Sequence, residues 1–66
     1  MVVRLKYQQG SFWREETVDS ESAAILRATA LALSGCLHFE LTDANGDVLK
    51  SDQDVRRACA GALRIA

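Results

Sequence analysis

Cys36, His38 and Glu40 are the residues of this chain whose types and spacing come nearest to chemistry. The stretch from Cys36 to Thr42 alternates, and as a strand it projects Cys36, His38, Glu40 and Thr42 from one face and Leu37, Phe39 and Leu41 from the other. A thiolate, an imidazole and a carboxylate on one face make a weak candidate for a metal site, or for a nucleophile, base and orienter. Against that, a lone Cys-x-His lacks the second ligand pair that closes a zinc site. Same-face neighbours on a strand also lie about 6–7 Å apart, too far for a thiol and an imidazole to hydrogen-bond without favourable rotamers. The polar side of a half-buried strand is the better reading. No catalytic, metal or cofactor-binding residue is assigned, and no cofactor is expected.

Asp43, Asn45, Asp47 and Asp54 superficially resemble a calcium loop. The glycine, Gly46, falls two places early, Val48 fills its expected slot, the closing residue is not glutamate, and a strand precedes the run. A hairpin turn accounts for these residues better. A glycine-rich phosphate loop, paired histidines at helical spacing and a serine in a nucleophile turn are all missing from the sequence, so nothing argues for an enzyme.

Phe12 and Trp13 are adjacent in a strand-like stretch and must point to opposite sides, so one large aromatic leaves the main core. Arg4, Lys6 and Arg14 lie near it by alternation, and a cation beside a ring is a device for stacking nucleic-acid bases. Glu15, Glu16 and Glu40 border the same surface and repel phosphates. Arg56, Arg57 and Arg64 read as the solvated side of an amphipathic helix.

The elements that position these residues follow from period and punctuation. Val3, Leu5 and Tyr7 alternate with charged and polar residues as a half-buried strand, Gln9-Gly10 makes a turn, and Ser11 to Val18 is a second strand. Asp19 or Ser20 caps a helix that runs to about Ser34, where Gly35 ends it in the left-handed conformation. On that helix Ile25, Leu26 and Leu33 share a face while Leu31 lies nearly opposite, beside Arg27, so two sides are apolar. After the third strand, Asp43 to Gly46 forms a type I turn with Gly46 in a left-handed bulge, which pairs Leu41 with Leu49 and Glu40 with Lys50. Ser51 and Asp54 resemble a capping box ahead of a second helix, whose stripe is Val55, Ala58, Cys59, Ala62 and Ile65.

The expected fold is therefore α+β, ββαββα, a single domain that repeats a two-strand-plus-helix unit over residues 1–35 and 36–66. A right-handed crossover through the first helix gives a four-stranded antiparallel or mixed sheet of order 2-1-3-4. The face taken by the second helix is left open.

Size and charge bound the function. With 66 residues the chain builds one core, and eight basic against nine acidic side chains leave no field that would draw it onto nucleic acid or an anionic membrane. The longest apolar-rich stretch, Ala23 to Leu33, contains Arg27 and falls short of a membrane span, and no signal-peptide-like apolar run is present. Cys36 and Cys59 read as reduced thiols, which together with the missing signal peptide implies a cytoplasmic protein. Alanine and arginine usage suggests a GC-rich bacterial source or a mobile element. The expected role is a non-catalytic protein-interaction or accessory module, homodimeric, with Phe12, Trp13, Leu31, Arg4 and Lys6 as its contact surface. Nucleic-acid binding through Arg4, Lys6 and the aromatic sheet face is the alternative.

Overall fold

The structure, a computed structural model, describes the backbone of residues 2–65 and the side chains of residues 2–61. Its elements are β1 (Val3–Gln9), β2 (Phe12–Val18), α1 (Glu21–Leu33), β3 (Leu37–Asp43), β4 (Val48–Lys50) and α2 (Asp52–Ile65). The four strands form one antiparallel sheet in the order β2-β1-β3-β4, so the ββαββα order and the α+β fold are as the sequence implies.

The two-residue turn Gly10-Ser11 joins β1 to β2, with Gly10 at a φ of 62° that glycine takes without a steric penalty. The start of α1 is fixed by Ser20, whose Oγ accepts the Ala23 amide at 3.1 Å. At its end the Cys36 amide reaches back to the Leu31 carbonyl and the Gly35 amide to the Ala32 carbonyl, both at 3.0 Å. This is a Schellman ending, with Gly35 left-handed, and such an ending favours an apolar contact between its two outer residues, here Leu31 and Cys36. Both are buried in the core.

That geometry corrects the reading of the first helix. Leu31 faces inward and is not a contact residue, because the buried side of α1 is Ala24, Ala28 and Leu31, with the two small alanines letting the helix lie close on the sheet. Leu26 and Leu33 point to solvent at 67% and 74% exposure. Ile25 is half-buried and packs against the core.

Both helices pack on the same face of the sheet. Ala24, Ala28 and Leu31 of α1 and Val55 and Cys59 of α2 join Val3, Leu5, Tyr7, Cys36, Phe39 and Leu41 in one cluster. Leu5, Leu41, Val3 and Val55 are wholly enclosed, and burying such a side chain contributes about 1.5–3 kcal/mol. Ser51 and Asp54 make the expected capping contact at the start of α2. The stripe positions Ala62 and Ile65, and Arg64, lie outside the residues whose side chains are described.

Two bulges revise the expected registers. Lys6 pairs with Glu40 but Gln8 pairs with Leu37, so His38 and Phe39 together oppose Tyr7. His38 takes a φ of 58°, left-handed backbone that is uncommon for a residue with a side chain. The extra residue reverses the alternation behind it: Cys36 turns into the core and Leu37 stands exposed, while Phe39 and Leu41 remain inside. Cys36 therefore does not share a face with His38 and Glu40. In the second hairpin Gly46 is left-handed as expected and Thr42 opposes Val48, but Leu41 opposes Lys50, not Leu49. The bulge at Leu49 lets its side chain reach the core.

Candidate interaction surface

Because both helices cover one face of the sheet, the other face is open, and the strand registers map it in three cross-strand rows. Trp13, Gln8 and Leu37 form the first, Glu15, Lys6 and Glu40 the second, and Thr17, Arg4, Thr42 and Val48 the third. Lys6 leans across to Trp13, its Nζ 5.5 Å from the centre of the ring, and the ring of the bulged His38 lies tilted beside it, 6.3 Å between ring centres. Arg4 Nε is 3.9 Å from Glu15 Oε1. Two cations, Arg4 and Lys6, thus alternate with two carboxylates, Glu15 and Glu40, and their charges cancel.

Phe12 is on the helix side of the sheet, as alternation from Val18 and Glu16 requires, yet it is 69% exposed, and Trp13 on the open face is 58% exposed. Neither aromatic enters the core, which corrects the expectation that one of them would. They sit at the turn end of an edge strand, and on the helix side only Glu16 and Val18 at its other end are half-buried. The surface residues that alternation missed are Leu37 and Val48. The bulge sends Leu37 outward, and Val48 faces solvent from the short outer strand.

On the helix side Glu16 ties three elements together. Its carboxylate accepts the Tyr7 hydroxyl at 2.7 Å and two of the three guanidinium nitrogens of Arg27, Nε at 2.9 Å and Nη2 at 3.0 Å. The paired guanidinium, and secondarily the tyrosine hydroxyl, hold the Glu16 carboxyl below its ordinary range. Conversely, the bond to Glu16 raises the Tyr7 hydroxyl and the Arg27 guanidinium above theirs. This pairing explains why Arg27 can stand among apolar positions on α1, and it consumes one of the acids that the sequence placed beside the aromatics.

The remaining chemical candidates are structural. Cys36 is enclosed while His38 is exposed on the far side of the sheet, and among the described residues no three His, Cys, Asp or Glu side chains gather as a metal site. Asp43 Oδ1 accepts the amides of Asn45 at 2.8 Å and Asp47 at 3.0 Å, so its carboxylate serves the turn. Asp52 Oδ1 accepts the Phe39 amide at 2.9 Å, closing the bulged strand where β4 has ended. A shallow groove of about 420 Å³ lies between α1 and β4, lined by Glu21, Ser22, Ile25, Leu26 and Lys50. No helix is long and apolar enough to cross a membrane among the described residues. Comparison with protein-family models, with curated proteins and with solved structures finds no match.

Proposed function

We propose that this chain is a non-catalytic interaction module that works by contacting protein, first of all a second copy of itself, through β2 and the open face of the sheet. The observation that carries the reading is the exposure of Phe12 and Trp13, adjacent bulky aromatics on opposite sides of one edge strand. Fully burying an aromatic side chain gains about 1.5–3 kcal/mol, and a domain of this size has a small net stability, so covering both is a substantial gain. Leu37 and Val48 extend the apolar area on the open face. Two buried free thiols, Cys36 and Cys59, fit a reducing compartment such as the cytoplasm.

Light scattering coupled to gel filtration tests this reading. A mass near twice the 7.2 kDa chain at tens of micromolar supports it, and a monomer throughout the accessible concentration range removes it.

A second reading draws on the Lys6, Trp13 and His38 cluster, a flat ring beside an ammonium group and an imidazole on which a nucleic-acid base can stack. Glu15 and Glu40 stand directly opposite Lys6 on its two sides, which weakens attraction for phosphate. Retention of single-stranded oligonucleotide at low salt, lost in Trp13→Ala, would favour this alternative over the first.

A further inference from the structure

We infer that β2 of one copy pairs antiparallel with β2 of a second copy, with Glu15 on the two-fold axis, joining two four-stranded sheets into one of eight strands. The inference rests on the self-association proposed above and adds its strand, register and residues.

A sheet of order β2-β1-β3-β4 has two edges, and they are built differently. β4 has three residues and a bulge against β3, both ordinary means of making an edge unfit for pairing. β2 has seven residues, contains neither glycine nor proline, and pairs with β1 without a register shift. In a two-residue hairpin the flanking pair, Gln9 and Phe12, exchange their backbone groups. Alternation therefore turns the N–H and C=O groups of Trp13, Glu15 and Thr17 to the free edge. A long, regular strand with unpaired groups is a template for another strand.

The side chains of β2 select which strand and which register. In a two-fold antiparallel pair, opposed residues share a face of the joined sheet. With Glu15 on the axis, Arg14 opposes the partner's Glu16, Trp13 opposes the partner's Thr17, and Phe12 opposes the partner's Val18. Opposite charges meet, and both exposed aromatics gain an apolar or β-branched neighbour. Val18 already borders the core, so Phe12 of one copy extends the other copy's apolar cluster. A shift of one step, to Arg14 on the axis, sets Arg14 against itself and both aromatics against glutamates. The opposite shift sets Glu16 against itself and Arg14 against Val18. Larger shifts leave about half the strand or more unpaired.

The cost in the favoured register is Glu15 facing its own copy across the axis, eased by Arg4 beside each. One strand pair is a small interface, which places dissociation in the micromolar range or weaker.

Four variants, each checked for the wild-type circular dichroism spectrum, test the register. In Glu15→Cys the opposed Cα atoms stand about 5.5 Å apart, within disulfide reach, so mild oxidation should give a covalent dimer. Thr17→Cys, displaced from its own copy by four residues, should not. Arg14→Glu turns two attractive pairs repulsive and should weaken the dimer about tenfold or more, whereas Glu15→Thr removes the like-charge pair and should tighten it by about two- to fivefold. The buried Cys36 and Cys59 do not compete in the oxidation. A dimer that cross-links through Thr17→Cys and not Glu15→Cys, or that ignores both charge changes, overturns the register while leaving self-association standing. A chain that stays monomeric at every concentration overturns both.

Discussion

Removing the carboxylate of Asp52 should cost this small domain about half of its stability. Asp52 Oδ1 accepts the amide of Phe39 at 2.9 Å, and that amide belongs to the bulge at which β3 gains a residue over β1. Phe39 is buried, so in Asp52→Ala its N–H is left without a partner, a loss of about 1–3 kcal/mol. Asp52 also stands in the first turn of α2, where a carboxylate contributes about 0.3–1 kcal/mol against the helix dipole. Its pair with Arg56, 3.1 Å apart, is exposed at both ends and adds little. The total, about 2 kcal/mol, compares with roughly 3–5 kcal/mol expected for a lone domain of this length. It corresponds to a fall in Tm on the order of 10 °C. Urea unfolding followed by far-ultraviolet circular dichroism measures it. Asp52→Asn keeps an acceptor oxygen at the same place and should lose less than half as much. A loss below about 0.5 kcal/mol in Asp52→Ala, or an equal loss in both variants, would refute the assignment of the Asp52–Phe39 bond as the clamp on the bulge.

Three further outcomes follow from named contacts. Glu16 is held below its ordinary pKa in the fold, so its contribution is present above the unfolded carboxylate value and is lost as pH falls through the lowered one. The wild type should therefore lose stability from about pH 5 downward more steeply than Glu16→Gln; parallel acid profiles would contradict the pairing with Arg27 and Tyr7. Leu31→Ala should cost about 2–4 kcal/mol by emptying part of the core, while Leu33→Ala, exposed on the same helix, should stay within about 0.5 kcal/mol in the monomer; a reversed order would show that the helix faces are misassigned. Both thiols are buried, so Cys36 and Cys59 should react with a disulfide reagent only as fast as the chain opens, and rapid labelling of the native protein would place Cys36 back beside His38.

The element order was legible because each boundary has a local chemical cause: Ser20 and Ser51 as caps, Gly10, Gly35 and Gly46 at positive φ, and alternation in β1. The sheet order followed from one crossover. The helix faces were harder to read, because hydrophobicity picks out Leu26 and Leu33 while the sheet accepts Ala24 and Ala28, whose small side chains permit close approach. The bulge in β3 left no sequence signal, since a left-handed bulge position is usually glycine or asparagine and here is histidine. That single residue dismantles the Cys36, His38 and Glu40 trio and exposes Leu37. The open face could be anticipated only in part, because covering of the sheet by α2 depends on tertiary contacts made by Val55 and Cys59. Arg4, Lys6 and Trp13 do share that face, whereas Phe12 lies across the sheet from them.

Trp13 is the chain's single tryptophan, and it sits on the strand where association is proposed, so its fluorescence reports directly on whether another molecule covers it. On dilution from high micromolar to nanomolar concentration, emission should shift to the red and become easier to quench with acrylamide, in step with the fall in mass. Emission and quenching that stay constant over the whole range would mean that nothing covers the aromatic edge in solution, and the interaction reading would fail with it.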